Sequence, residues 1–268
     1  MKSVELFLAL SLATSVGLSG NVIVNANEYE VATEKINQEV STVLIAQNEG
    51  GEGGEGGEGG EGGEGGEGGE GGEGGAELSP GEQANADFQD KISGAELLSE
   101  LQNGGYVIYF RHAQTEKDYA DQVTADVNNC STQRVLSEDG VQQAKTIGEG
   151  FEASEIPVGT VTTSEYCRAW TTAALAFDNY EKNPALNFLP FEDYTDAQVE
   201  EMKANVTPLL TAMPAEGTNS VIVGHDDIFE SATGIYPDPQ GIAYIVKPDG
   251  NGGFEVVANM LPEEWGQL

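Results

Sequence analysis

Positive charge is what this 268-residue chain has least of: 11 lysines and arginines stand against 46 aspartates and glutamates, giving a net charge of -35. Nucleic acid is excluded as an expected partner, because a phosphate backbone needs a basic patch. An anionic membrane surface is excluded for the same reason. The chain is also poor in particular residues. It has three arginines (Arg111, Arg134, Arg168), two histidines (His112, His225) and two cysteines (Cys130, Cys167). No ligand cluster for a metal emerges from so few histidines and cysteines. Long apolar runs are absent beyond the first residues, so nothing later in the chain is expected to span a membrane.

What is present divides the chain into four parts. Residues 1–26 read as a signal peptide: Met1-Lys2 is a short positive start, residues 4–18 are mostly apolar with Glu5 as an interruption, and Val24-Asn25-Ala26 supplies small residues at cleavage spacing. The run is short for a membrane anchor, and no cysteine follows it to carry a lipid. The mature protein is therefore expected outside the cytoplasm, periplasmic or extracellular, with no membrane insertion after signal removal. Residues 27–48 form a polar N-terminal segment. Residues 49–75 are nine Glu-Gly-Gly triplets, expected to be a disordered linker because glycine and repeated like charge extend a chain. It is either a spacer or an expanded repeat without a specific role. Residues 76–268 suffice for one domain with a real core. In an exported protein Cys130 and Cys167 can pair; two buried thiols are the alternative, since sequence does not place their Cα atoms within bonding range.

The domain alternates helical and strand patterns. Residues 93–102 place Ala95, Leu97, Leu98 and Leu101 on one side of a helix, broken by Gly104-Gly105. Residues 106–110 (YVIYF) are a buried-strand run. Ser137 caps a helix through Phe151, with Glu138 and Asp139 in its first turn, where the dipole favours acids. Further strands are expected at 158–163, 186–191 and 220–223, helices at 165–177 and 195–213, and a closing hairpin of 241–246 with 254–259. This alternation predicts an α/β three-layer sandwich with a mostly parallel central sheet.

Three short motifs fall just past strand ends: Arg111-His112, Ser164 with Arg168 four residues on, and Gly224-His225-Asp226. The carboxyl edge of parallel strands is where open α/β sheets bind ligands, so residues far apart in sequence are expected to share one pocket. Arg111-His112-Ala113-Gln114-Thr115 resembles the RHGxT signature of the histidine phosphatase superfamily, the phosphoglycerate mutase-like proteins. Arg134, Leu136, Gly140, Gln143 and Ala144 match that family's next helix in spacing. Ser164 to Arg168, Ala169 and Thr171-Thr172-Ala173 resemble its second arginine motif, and Gly224-His225 its second histidine motif. The resemblance covers residues 104–261 and implies the phosphoglycerate mutase-like fold.

It also implies a phosphatase that hydrolyses a phosphomonoester, or phosphohistidine, through a phosphohistidine formed on His112. A neutral imidazole nitrogen can attack phosphorus, provided the other ring nitrogen donates to a backbone carbonyl and fixes the tautomer. Arg111 and Arg168 can each grip two phosphoryl oxygens, and His225 adds a hydrogen bond. Within the family the proton donor is either an Asp after the second histidine or a Glu after the second arginine motif. Asp226 is the first expectation and Glu192 the second. Asp227 raises its neighbour's pKa by repulsion, and the arginines lower it. Arg134 and Thr115 are candidate substrate contacts, although each also has a structural use. Capping a helix is the alternative use of Asp226. The family's glycine after the first histidine is Ala113 here, which would be strained only if that position needed positive φ.

No metal or other cofactor is required by this chemistry. The expected partner is a small phosphorylated substrate or a phosphoprotein. Two other readings fit the same fold: a phosphomutase, for which little chain is left to build a cap, and a degenerate module that binds phosphate or a phosphoprotein without turnover.

Overall fold

In a computed structural model, the chain is described at residues 78–117, 121, 125–189 and 194–268. The signal-peptide, polar-segment and triplet-repeat expectations, and Glu192, lie outside the described residues.

The elements run α1 (Pro80–Ala86), α2 (Gly94–Asn103), β1 (Val107–Arg111), α3 (Glu138–Ala153), β2 (Val158–Thr163), α4 (Cys167–Ala176), β3 (Glu181–Lys182), α5 (Asp196–Thr211), β4 (Asn219–Gly224), α6 (Asp226–Thr233), β5 (Ala243–Pro248) and β6 (Phe254–Met260). They build one six-stranded sheet in the order β3-β2-β4-β1-β5-β6. The β3–β2, β2–β4 and β4–β1 pairs are parallel. The β1–β5 and β5–β6 pairs are antiparallel, so the sheet is mixed, and the hairpin forms its antiparallel edge.

Helices cover both faces of the sheet. On β1, Ile108 and Phe110 point to the face carrying α2, α3 and α4, where Leu101, Ile147, Phe151 and Ala173 pack with Trp265. Val107 and Tyr109 point to the other face, under Met202, Val206 and Leu210 of α5 and Ile228 and Phe229 of α6. The period-two alternation of a strand buried on both sides turns the YVIYF run into the centre of two cores. Glycine ends α2 for a positional reason. Gly104 has φ +79, and a Cβ there would stand 2.5 Å from the Thr218 amide nitrogen.

Residues 186–189, the described part of the strand expected at 186–191, do not form a strand. The sheet edge is the two-residue β3, and Pro184–Leu186 is a 3-10 turn. Proline has no N–H to give a ladder, and the Asn183 side chain accepts from the Ala185 N–H to cap the turn instead. Leu186 is apolar because it is fully buried beneath α5. No helix is expected from the sequence at α1, and α6 begins one residue earlier than a cap at Asp226 would place it, with His225 as its N-cap. Helix α1 is held by a capping box, in which the Glu82 N–H donates to Ser79 Oγ at 3.1 Å and the Ser79 N–H to Glu82 Oε2 at 2.7 Å.

Candidate active site

Parallel strands β2, β4 and β1 end side by side, and the three motifs leave the sheet there. Register pairs Arg111 with Gly224 and Thr163 with Val223. His112, Ser164 and His225 are consequently neighbours, each 1% exposed or less.

His112 has a defined tautomer. Its Nδ1 lies 2.8 Å from the Ala113 carbonyl oxygen, which can only accept, so Nδ1 carries the proton. Nε2 keeps a lone pair, and Arg168 Nε–H donates to it at 3.2 Å. Burial, then the charges of Arg168 and Arg111, push the imidazole down to about 3, leaving it neutral. The loop around it is held by α3: the Gln114 N–H donates to Gln143 Oε1 at 2.9 Å, and a Cβ on Gly140 would stand 1.9 Å from the Gln114 carbonyl oxygen. Ala113 does not have positive φ, since Glu155 is the one non-glycine residue that does among those described. It is buried against Leu136 and Ala144, so the family's glycine is not required here.

Arg168 leaves the first turn of α4. Its Nη1 pairs with Asp121 Oδ2 at 3.0 Å, and its guanidinium lies 5.1 Å from the ring centroids of both Tyr166 and Phe188. Those two rings stack at 4.3 Å. Arg111 is anchored by Asp226 Oδ2 at 2.6 Å, by Asp238 Oδ1 at 3.0 Å and by the Pro237 carbonyl at 3.0 Å. Its buried Nε–H has no acceptor among the described residues. His225 Nε2 lies 2.9 Å from Ser164 Oγ. Burial and the Arg168 charge hold its pKa well below the ordinary histidine value.

Asp226 does not have the environment expected of an acid. Burial pushes its carboxyl up, but the Arg111 charge outweighs this and the carboxyl is held below its ordinary value. The Tyr236 hydroxyl, which donates to Oδ2 at 2.8 Å, also favours the ionised form. Asp227 behaves in the opposite way. Burial and the adjacent Asp226 charge push it up to about 7. The Tyr194 hydroxyl has one proton for two acceptors, the Leu189 carbonyl at 2.9 Å and Asp227 Oδ2 at 3.1 Å. The bond from Tyr194 favours the ionised form of Asp227, but it does not offset burial and the Asp226 charge.

Thr115 is buried, and its N–H and Oγ1 both donate to Gln240 Oε1, at 2.8 and 3.3 Å, which ties the loop to the segment after α6. The Arg134 N–H donates to Asp121 Oδ1 at 2.6 Å, and the Arg134 charge is one of those depressing His225. The cysteines do pair: Cys130 and Cys167 form a disulfide with Cα atoms 5.6 Å apart, fastening the loop before Arg134 to the start of α4. Sequence reading missed Tyr109, Asp121 and Asn187 as parts of this neighbourhood. Tyr109 left one clue, a hydroxyl within a strand otherwise fit for full burial, which must find a partner. A separate cavity of ≈ 840 Å³ between α3, β2 and the turn after α4, lined by Lys145, Glu149, Asp178 and Tyr180, contains none of these residues.

Fold and site together define an α/β protein with two histidines and two arginines gathered at the carboxyl edge of parallel strands. Residues 107–230, the segment that builds the site, match the family model of the histidine phosphatase superfamily (branch 1). No curated protein matches the chain in sequence. Among solved structures, the chain is similar to the protein histidine phosphatase SixA complexed with tungstate, at 16% identity over 59% of this chain and 97% of that one, with a TM-score of 0.43. It is similar to phosphoserine phosphatase from Entamoeba histolytica in complex with 3-phosphoglyceric acid, at 13% identity over 57% and 95%, TM-score 0.43. The alpha-ribazole phosphatase of Shigella flexneri is similar at 17% identity over 56% and 94%, TM-score 0.43. Likenesses at this level carry no weight for substrate or mechanism.

Proposed function

We propose that this chain is an exported phosphatase that hydrolyses a phosphomonoester, or phosphohistidine on a protein, through a covalent phosphohistidine at His112. The observation that carries the reading is the His112 ring itself. Its Nδ1–H is committed to the Ala113 carbonyl, its Nε2 lone pair is available, and burial keeps it neutral beside two arginines.

The residues suggest the following course. As the phosphoryl group enters, the Arg168 Nε–H moves from His112 Nε2 to a phosphoryl oxygen, freeing the lone pair. The Arg111 Nε–H supplies a further donor. The Nε2–P bond forms while the bond from phosphorus to the leaving oxygen breaks, and that oxygen takes a proton. Charge on the equatorial oxygens is met by both guanidiniums. Water then attacks phosphorus, the N–P bond breaks, and the water's proton goes to the carboxylate that served as acid. Asp227, which holds a proton near neutral pH, takes that role in preference to the ionised Asp226. Asp226 instead orients Arg111.

The Cys130–Cys167 disulfide fits an oxidising compartment, which supports export. The charge of -35 weighs against nucleic acid as a partner, and the two arginines gathered beside His112 support a small phosphorylated molecule or a phosphoprotein. The test is phosphate release from p-nitrophenyl phosphate beside His112→Ala, with intact-mass detection of a phosphorylated enzyme after a rapid quench in denaturant at alkaline pH, where the N–P bond survives. Turnover and a phosphoryl adduct, both lost in His112→Ala, are the expected outcome. Turnover that survives the substitution would overturn the role of His112.

A further inference from the structure

The two site imidazoles have opposite tautomers, and the second is set by residues remote from the first. Asn187, just past the 3-10 turn that follows β3, lies beside Ser164. Its Nδ2 donates to Glu165 Oε2 at 2.8 Å, and its Oδ1 accepts from the Glu165 N–H at 2.9 Å. A carboxylate only accepts and a backbone N–H only donates, so the amide has one orientation. Asn187 Oδ1 also lies 2.9 Å from Ser164 Oγ. An amide oxygen cannot donate, so the single Ser164 proton points to it. Ser164 Oγ is then left as an acceptor. One of its donors is the Tyr166 N–H at 3.2 Å, and the other is His225 Nε2 at 2.9 Å. Ser164 and His225 are 0% and 1% exposed, so bulk water does not compete for these positions.

We propose that Asn187, itself oriented by Glu165, is a positioning residue that fixes the Ser164 hydroxyl and thereby holds neutral His225 with its proton on Nε2. Every bond in this chain has its direction dictated by a group that can act in only one sense. His112 carries its proton on Nδ1, so the pair presents one imidazole of each kind, with ring centroids 5.5 Å apart. His225 thus keeps its Nε2–H on Ser164 and a lone pair on Nδ1. The value of this for turnover rests on the phosphatase reading, but the tautomer does not.

The chain contains only two histidines, which makes the test direct. The full protein is labelled with 15N-histidine, and long-range proton–nitrogen correlation reads each ring nitrogen as protonated or bare. His112→Ala assigns the two sets. The expected result is Nε2–H for His225 and Nδ1–H for His112. In Asn187→Ala the Ser164 hydroxyl is released, and His225 shifts to a mixture of tautomers or to Nδ1–H while the His112 signals stay in place and report an intact fold. Glu165→Gln, which keeps an acceptor for Asn187 Nδ2, retains Nε2–H. His225 found as Nδ1–H in the unaltered protein, or unmoved in Asn187→Ala, overturns the proposal. Phosphatase assays on the same samples are read separately: an inactive protein with the expected tautomers removes the proposed function and leaves the positioning role standing.

Discussion

Tyr109 and His225 hold each other through a reciprocal pair of hydrogen bonds: the Tyr109 hydroxyl donates to the His225 carbonyl at 2.7 Å and accepts the His225 N–H at 3.0 Å. The phenol thereby satisfies both backbone groups at the point where β4 becomes α6. The approach is so close that a Cβ on Gly224 would stand 2.3 Å from the Tyr109 hydroxyl oxygen, which explains the glycine of the second histidine motif. Tyr109→Phe leaves a buried N–H and a buried carbonyl without that partner. The expected cost is about 1–3 kcal/mol, measurable by urea unfolding. Activity is expected to fall as well, because His225 loses its backbone anchor.

Asp226→Asn and Asp227→Asn should differ in kind. The first removes the buried counter-charge of Arg111 at 2.6 Å. Breaking one side of such a pair costs about 3 kcal/mol or more, and turnover should drop at every pH. The second removes the group pushed up to about 7. With a substrate whose leaving alkoxide needs a proton, kcat in the unaltered protein should decline as pH rises through about 7, and Asp227→Asn should lack that limb. A limb that persists in Asp227→Asn but vanishes in Asp226→Asn would return the acid role to Asp226.

The same groups give stability a pH dependence with two opposing slopes. Asp227 has a folded pKa above its ordinary value, so its contribution is complete below about 4 and is lost as pH rises through about 7. His112 has a folded pKa depressed to about 3, so its contribution is complete above about 6.5 and is lost as pH falls toward 3. Buried His225, shifted in the same direction, adds to the second slope. Denaturation between pH 4 and 7 should therefore show a partial cancellation. Asp227→Asn removes the first slope, and the variant should lose stability more steeply on acidification than the unaltered protein does.

The Cys130–Cys167 disulfide closes a sequence separation of 37 residues, and its second cysteine immediately precedes Arg168. Paired replacement by serine should lower unfolding free energy by about 3–4 kcal/mol from the loop-closure term. It also frees the loop that leads to Arg134 from the first turn of α4. The expected kinetic signature is a higher KM, checked by comparing the double serine variant with the oxidised protein.

Much of the site lay open in the sequence because its parts are local in the chain. Arg111-His112, Ser164 to Arg168 and Gly224-His225 each follow a run apolar enough to be a strand, and a parallel sheet brings strand ends to one edge regardless of the residues between them. Helix α3 was readable from the Ser137 cap, whose Oγ accepts from the Gly140 N–H at 3.0 Å. The hairpin was readable from its glycine-rich turn. Periodicity failed at 186–189, because a short apolar run has the same pattern in a strand as in a packed turn. Tertiary structure alone decided which carboxyl after His225 keeps a proton, since the answer depends on Arg111, 115 residues earlier in the chain, and on Tyr236 and Tyr194. It also decided the tautomer of each histidine. Residue types determine which groups can donate or accept, but only the folded arrangement places a group of fixed sense, such as the Ala113 carbonyl or the Asn187 amide, against a ring that could have held its proton on either nitrogen.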